Sequence, residues 1–154
     1  MRALQLDDVD KAILRELVKD ARLSYREIAK RIGVSTATVA NKVRKLERLG
    51  VIKGYTALLD LEKLGYDVAA VIEVVVAKGK IPEVEEEIAK SCNVQAVYDV
   101  TGQSDAMIIA RFKSRAELSK FIKRILSMDY VERTVTHVVL SIRKEEVASP
   151  ELIE

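Results

Sequence analysis

The sequence predicts an α+β fold in two parts, a winged helix-turn-helix followed by a β-α-β-β-α-β sandwich. Three observations lead to it. Apolar residues recur at helical spacing in three short segments before residue 50. Runs rich in valine and isoleucine begin at residue 68 and alternate with two further helical segments. The two parts also differ in charge. Residues up to Tyr55 include 13 Lys and Arg and 7 Asp and Glu, whereas the remaining residues include 13 Lys and Arg and 17 Asp and Glu. The basic first part is therefore the candidate for contact with a polyanion.

Composition makes the chain globular and limits its chemistry. With 154 residues, 49% of them hydrophobic and 32% charged, it can form one ordinary domain or two small ones. Its longest apolar run, residues 68–77, is interrupted by Glu73 and is about half the length of a membrane span, and the N-terminus has no signal-peptide pattern. One cysteine and one histidine supply neither a disulfide nor a zinc site. We expect a cytoplasmic protein with no membrane contact, metal or cofactor.

Two short helices are predicted before residue 34. Asp7 suits the N-cap of the first helix. Ser24 begins the second, where Glu27 completes a capping box, and Gly33 ends it. The inward stripes are Val9, Ile13, Leu14, Leu17, Val18 and Ala21 in the first helix, and Ile28, Ala29 and Ile32 in the second.

A third helix completes a helix-turn-helix. Ser35 caps it and Gly50 ends it. The motif requires a small residue where the helices approach, a glycine in the turn and an apolar residue in the angle between them, and Ala29, Gly33 and Val39 meet these needs. An ordinary capped helical hairpin is the alternative. The predicted buried stripe of the third helix is Val39, Val43, Leu46 and Leu49.

The outward face of the third helix carries hydroxyls, an amide and cations, the groups that bind base edges and phosphates. Glu47 is the only acid there, whereas a merely solvated face usually mixes signs, and Arg44 and Arg48 flank the set. The pattern favours double-stranded DNA as a partner. The residues predicted to contact it are Ser35, Thr36, Thr38, Asn41, Lys42, Lys45, Arg26 and Lys53.

Residues 51–57 favour extended structure and are predicted to leave the helices as a strand, with a bend at Lys53-Gly54 that suits a small wing. The predicted organisation is a helix-turn-helix domain over residues 1–55, a linker strand over 56–67, a second domain over 68–145 and a C-terminal tail over 146–154.

The second domain repeats one order of elements. Strands are predicted over residues 68–77, 94–100, 106–112 and 131–142. One helix opens at Pro82, and the other is capped by Ser114 with Glu117. The order is that of a ferredoxin-like sandwich. The predicted inner residues are Val84, Ile88 and Cys92 in one helix, and Leu118, Phe121, Ile122 and Ile125 in the other.

Both helices of such a sandwich cover the same face of the sheet, yet the strands are apolar on both faces. Val71 and Val75 alternate with Val74 and Val76, and residues 107–110 are continuously apolar. No chain remains to cover the second face. A partner subunit is the economical cover, which predicts a two-fold homodimer, and two symmetric basic helices can then reach successive major grooves.

The first part, LDDVDKAILRELVKDARLSYREIAKRIGVSTATVANKVRKLERLGVIKGYTA, resembles the DNA-binding domain of the feast/famine regulators, the Lrp/AsnC family. The positions that carry the resemblance are Leu6-Asp7 with Asp10, Ile28-Ala29 with Gly33, Leu46-Glu47 with Gly50, and Ile52 with Gly54-Tyr55. The remainder is similar to the family's effector domain, where Thr101-Gly102 and Asp105 match the turn before the third strand. Two positions depart from the family pattern. Lys42 stands where the family more often has arginine, and Ser104 stands where it more often has an aromatic residue.

The resemblance implies a transcription regulator that senses an amino acid or a related metabolite and forms dimers, often four to an octamer. It also implies effector binding near the turn at Thr101, Gly102, Gln103, Ser104 and Asp105. The turn amides can hold an α-carboxylate and Asp105 can face an α-ammonium, although an aspartate beside a turn can equally bond backbone. Thr134 and Thr136 of the last strand are candidates for hydroxyl contacts, or are simply good strand residues.

Two other functions fit parts of this pattern. AsnC-like siroheme decarboxylases have a similar architecture, but His137 is the single histidine available for tetrapyrrole chemistry. A DNA-organising protein without an effector is the other alternative. Footprinting with and without amino acids separates it from a sensor.

Overall fold

The computed structural model describes residues 4–77 and 79–154. The described residues form two compact units. The helical unit comprises the residues up to Leu58 together with Lys144–Glu154, and the sheet unit comprises Leu59–Arg143. Among the described helices, none combines the length and the apolar character that a membrane crossing requires.

The helical unit contains α1 (Asp8–Lys19), α2 (Tyr25–Ile32) and α3 (Thr36–Arg48). Each begins where the sequence predicts, because the side chain of the preceding residue accepts a hydrogen bond from the backbone N–H at the third helical position. The caps are Asp7, Ser24 and Ser35. Asp10 and Glu27 complete capping boxes by bonding back to the cap residues' own N–H groups.

The helix-turn-helix packing is present between α2 and α3. Gly33 adopts φ +75° after α2, and its N–H donates to the carbonyl of Ala29. This left-handed conformation is cheap for glycine and costly for other residues. The core of the unit is Ile13, Ile28, Ala29, Val39 and Val43.

No strand forms over residues 51–57, contrary to the prediction, and residues 49–67 contain turns, bends and backbone without regular secondary structure. The N–H groups of Val51 and Ile52 instead donate to the carbonyl of Leu46, and Ile52 packs on the helical core. A segment without a partner strand cannot form the interstrand hydrogen bonds of a sheet, so its backbone N–H and C=O groups need other partners. The prediction of a buried Leu49 is also wrong, since this residue is the C-cap of α3 and is 43% exposed.

The segment Lys144–Glu154 packs within the helical unit. Its short 3-10 helix, Pro150–Leu152, lies against α1. The Nε of Arg15 on α1 donates to the carbonyl of Ile153 at 2.9 Å. Residues far apart in the sequence therefore complete the surroundings of α1.

The sheet unit contains, in order, β1 (Val68–Val76), α4 (Ile81–Ala89), β2 (Val94–Asp99), β3 (Ala106–Phe112), α5 (Arg115–Leu126) and β4 (Val131–Val138). Its sheet has the order β2-β3-β1-β4, and every neighbouring pair is antiparallel. This is the predicted ferredoxin-like arrangement.

One face of the sheet packs against the two helices and the other is open within the sheet unit. On the helix side, Ile72 lies between Ile108 of β3 and Thr136 of β4, and Val74 lies between Ala106 and Thr134. The buried core contains these β1 and β3 residues, together with Val84, Ile88, Leu118, Phe121 and Ile125 from the helices. The open side carries Val71, Glu73, Val75, Met107 and Ile109, which are half-buried by their neighbours.

Two predictions for the sheet unit need correction. The strand predicted to run to residue 142 ends at Val138, because β1 offers it backbone partners only as far as Ala69. Cys92 lies beyond the end of α4 and is exposed rather than on its inner stripe. The N–H of Ser91 donates to the carbonyl of Ile88, three residues back, and the helix stops before another turn forms.

Candidate nucleic-acid interface and effector site

The N-terminal half of α3 presents the predicted polar groups. Ser35, Thr36 and Asn41 are exposed, and Thr38 is half-buried. The hydroxyls of Ser35 and Thr38 are hydrogen-bonded to each other at 2.8 Å. Arg26 on α2 and Lys53 after α3 are also exposed. The hydroxyls predicted for base edges therefore lie at the N-terminal end of α3, and the amide lies in its middle.

Two of the predicted DNA-contacting lysines lie against α1. The ammonium of Lys42 bonds the carboxylate of Asp7 and lies 3.1 Å from Oδ1 of Asp10. The ammonium of Lys45 lies 3.2 Å from Oδ2 of Asp10. Asp10 is fully buried, whereas Asp7 is exposed. The four side chains form an ion-pair cluster that joins α1 to α3.

The electrostatics of this cluster favour the charged forms of Asp7, Asp10 and Lys42. The Lys42 hydrogen bond lowers the pKa of the Asp7 carboxyl to about 2. Burial raises the pKa of Asp10, but the hydrogen bonds from Lys42, the Asp7 N–H and Lys45 outweigh it and the net pKa is lowered. The pKa of Lys42 is raised, chiefly by its bond to Asp7. A buried carboxylate stays ionised only with such partners.

Arg44 and Arg48, which the sequence placed at the flanks, lie on the exposed face of α3 with Asn41. They point away from the stripe of Val39, Val43 and Leu46, as a 3.6-residue period requires. No ion pair holds either guanidinium within the part of the chain that the structure describes. The helical period could have identified them, because the centre of the exposed face is opposite the centre of the buried stripe.

The turn between β2 and β3 closes with backbone hydrogen bonds. Thr101, Gly102 and Gln103 are exposed at its tip. The N–H of Val100 donates to the carbonyl of Asp105 at 2.9 Å, and the N–H of Asp105 donates to Val74 of β1 at 3.0 Å. The Asp105 carboxylate accepts the N–H of Val76 at 2.8 Å, where the β1–β4 register shifts. One carboxylate oxygen of Asp105 is thus committed to the sheet.

Behind the turn lies a polar chain that the sequence did not reveal. The buried hydroxyl of Ser104 donates to Oε2 of Glu73 at 2.5 Å. Nε2 of His137 lies 2.8 Å from Oε1 of the same carboxylate. The bond from Ser104, followed by that from His137, lowers the pKa of Glu73. These residues come from three segments far apart in the sequence, so only the strand register brings them together.

Thr134 and Thr136 do not join this group. They pair with Val74 and Ile72 in the register of β1 and β4, and therefore lie on the helix-covered face. Glu73 and its partners lie on the open face. The structure brings Thr101–Asp105 together and leaves the two threonines on the other side of the sheet.

Two family models match this chain over most of its length. The "Lrp/AsnC ligand binding domain" matches residues 69–149, and "Winged helix-turn-helix DNA-binding" matches residues 6–53. An uncharacterized HTH-type transcriptional regulator of Pyrococcus furiosus is 48% identical over 143 residues, which are 93% of this chain and 97% of the relative. The HTH-type transcriptional regulator FL11 of the same organism is 37% identical, over 94% and 96% of the two chains.

Solved structures agree with these matches. AsnC of E. coli has a TM-score of 0.88 at 28% identity, covering 94% of this chain and 99% of its own. A transcriptional regulator of Neisseria meningitidis in complex with L-Met has a TM-score of 0.87 at 27% identity, covering 95% and 97%. The helix-turn-helix, the antiparallel sheet and these matches together establish that this chain belongs to the Lrp/AsnC family of helix-turn-helix transcriptional regulators.

Proposed function

We propose that this regulator binds double-stranded DNA through the exposed side of α3 and that an amino acid bound near the β2–β3 turn modulates the binding. The observation that carries the proposal is the α3 surface itself. Hydroxyls at its N-terminal end, Asn41 in its middle and the guanidinium groups of Arg44 and Arg48 are all exposed on one helix. Such groups bind phosphates and base edges in a major groove.

The roles within this surface follow from side-chain chemistry. Asn41 suits an adenine edge, and Arg44 and Arg48 suit a guanine edge or two phosphate oxygens. Arg26 and Lys53 are exposed cations off the recognition helix, and we assign them to the phosphate backbone. Lys42 and Lys45 are shared between this surface and the carboxylates of α1.

The effector site that we propose contains the turn Thr101–Asp105 and the neighbouring carboxylate of Glu73. Turn amides can bind the α-carboxylate of an amino acid, and two nearby acids can bind its α-ammonium. The complex of the Neisseria meningitidis regulator with L-Met supports an amino acid as the class of ligand. A role for Thr134 and Thr136 stays a prediction, because it requires a ligand that reaches the other face of the sheet.

A homodimer through the open face of the sheet is the assembly that we propose, with octamers built from four dimers. Val71, Val75, Met107 and Ile109 form an apolar centre on that face, and Val135 is 36% exposed beside them. A second copy removes this apolar area from water. The two-fold axis then gives two α3 helices for two half-sites.

The proposal is tested by selecting DNA from a random-sequence library and footprinting the selected sites at fixed salt, with and without each amino acid. We expect discrete protected sites whose occupancy changes with a particular amino acid, and the same amino acid should raise the unfolding temperature. Evenly spread protection that ignores every amino acid would instead indicate a DNA-organising role.

A further inference from the structure

Asp10 is the only fully buried carboxylate among the described residues, and it lies on α1, opposite the recognition helix. Its oxygens are 3.1 Å from the Lys42 ammonium and 3.2 Å from that of Lys45. Oδ2 also accepts the N–H of Asp7, while the Asp7 carboxylate accepts the N–H of Asp10 and bonds Lys42. A helix cap and three cross-helix ion pairs therefore share the same two carboxylates.

Moving the lysines away from this cluster is energetically unfavourable. A buried carboxylate that loses its partner is destabilised by the full desolvation free energy of its charge. The Lys42 side chain is 20% exposed and that of Lys45 is 39% exposed, so both stems follow the surface of α3 toward α1. A DNA phosphate competing for either ammonium must leave Asp10 less well neutralised.

We propose that Asp7 and Asp10 act as an internal counter-anion for the recognition helix, withholding Lys42 and Lys45 from the DNA backbone. The proposal rests on α3 as the DNA interface, as proposed above. When fewer cations contact the phosphates, fewer counterions are released from the DNA on binding. The affinity for every sequence is then lower. Discrimination between sites is then carried by Asn41, Arg44 and Arg48, since the sequence-independent part of the affinity is reduced. Asp10 is in this sense a positioning residue, acting through the two lysines.

The test is the salt dependence of DNA binding by Asp10→Asn. Asparagine retains an acceptor for the Asp7 N–H but loses the negative charge that pairs with both lysines, so that Lys45 is released while Lys42 keeps its bond to Asp7. The matched control is Asp8→Asn, which removes one negative charge from the same helix turn at an exposed residue without an ion pair within the described chain. Both variants are compared with the wild type on a duplex enriched from a random library and on the unselected library.

We expect the slope of log K against log salt to steepen in Asp10→Asn by about 0.9, for the release of Lys45, because Asp7 still binds Lys42. Between about 50 and 200 mM salt, that change multiplies the loss of affinity by about 3-fold. Binding to the unselected library should gain more than binding to the enriched duplex. An Asp10→Asn slope equal to that of Asp8→Asn would overturn the proposal.

Two further variants keep the outcome interpretable. If Asp10→Asn does not fold, Asp7→Asn is used, because asparagine is also a good N-cap and the exposed Asp7 holds only Lys42. We then expect a slope steeper than that of Asp8→Asn, by less than about 0.9, because Lys42 still lies beside Asp10. Arg44→Ala tests the interface on its own. If Arg44→Ala binds DNA like the wild type, both the α3 interface and this inference are wrong. If Arg44→Ala binds weakly but Asp10→Asn and Asp8→Asn have identical slopes, only this inference is wrong.

Discussion

Asp105 is a side chain with two candidate roles, one in the sheet and one toward a ligand. The hydrogen bond from the Val76 N–H to its carboxylate satisfies a backbone donor at the point where the ladder between β1 and β4 shifts register. The sequence favoured either a turn aspartate that bonds local backbone or a ligand group. The observed backbone partner belongs to another strand, 29 residues away.

The two roles of Asp105 separate with a pair of substitutions. Asp105→Ala removes the acceptor of the Val76 N–H and should lower the free energy of unfolding by about 1–3 kcal/mol. Asp105→Asn keeps an acceptor and should cost less, yet it should abolish the thermal shift caused by an amino acid, because the countercharge for the ammonium is gone. Thermal unfolding with and without amino acids measures both effects. Equal destabilisation by the two substitutions would exclude the role as backbone acceptor.

Ser104 stabilises the ionised form of Glu73, and this predicts a dependence on pH. The pKa of Glu73 is lowered from its ordinary value of 4.5, with the Ser104 bond as the largest cause. Its contribution to stability is therefore complete above about pH 4.5 and is lost as the pH falls through the lowered pKa. The stability gap between wild type and Ser104→Ala should be widest near neutral pH and should narrow below pH 4.5. Urea unfolding across this range measures the gap, and Ser119→Ala, on the exposed side of α5, is the control.

At the scale of elements, helix starts were predictable and the ends of several other elements were not. Asp7, Ser24, Ser35 and Ser114 cap their helices as predicted, because a cap bonds a backbone N–H only three residues away. Val138 ends β4 because the neighbouring strand ends, which no local pattern records.

The candidate site divides in the same way. The exposed polar residues of α3 follow from the helical period, and the turn at Thr101–Asp105 follows from its glycine. The attachment of Lys42 and Lys45 to α1, and the meeting of Ser104, Glu73 and His137, depend on the packing of segments distant in sequence. The lysine side chains indicated DNA contacts, but their type could not indicate which carboxylates would form ion pairs with them.

The contact between the 3-10 helix and α1 predicts a local effect of truncation. Removing residues 150–154 deletes the Ile153 carbonyl that accepts from Arg15 and the helix that lies against α1. Amide hydrogen exchange in α1 should accelerate, while exchange in β1 and β3 should stay unchanged, since their core lies in the sheet unit. Deleting Glu154 alone is the control. Unchanged exchange in α1 after the longer deletion would contradict a stabilising role for this segment.

At the scale of the whole molecule, the open face of the sheet determines the proposed assembly. Val71 lies near its centre, between Ile109 and His137 on the neighbouring strands. Val71→Lys places an ammonium where a second copy would bury apolar surface, so we expect dimers to dissociate in sedimentation velocity experiments. Ala89→Lys adds the same charge at the exposed end of α4 and should leave the assembly intact. A wild-type monomer, or an unchanged dimer of Val71→Lys, would argue against this interface.

The helical unit is assembled from two parts of the chain, the residues up to Leu58 and the segment Lys144–Glu154, with the whole sheet unit between them. This division sets an order of events during translation. At about 5–20 residues per second, the roughly 85 intervening residues take on the order of 4–17 s to synthesise. For that interval the nascent helix-turn-helix lacks the segment that packs on α1. A newly made chain therefore completes its DNA-binding unit only after its ligand-binding unit has been synthesised.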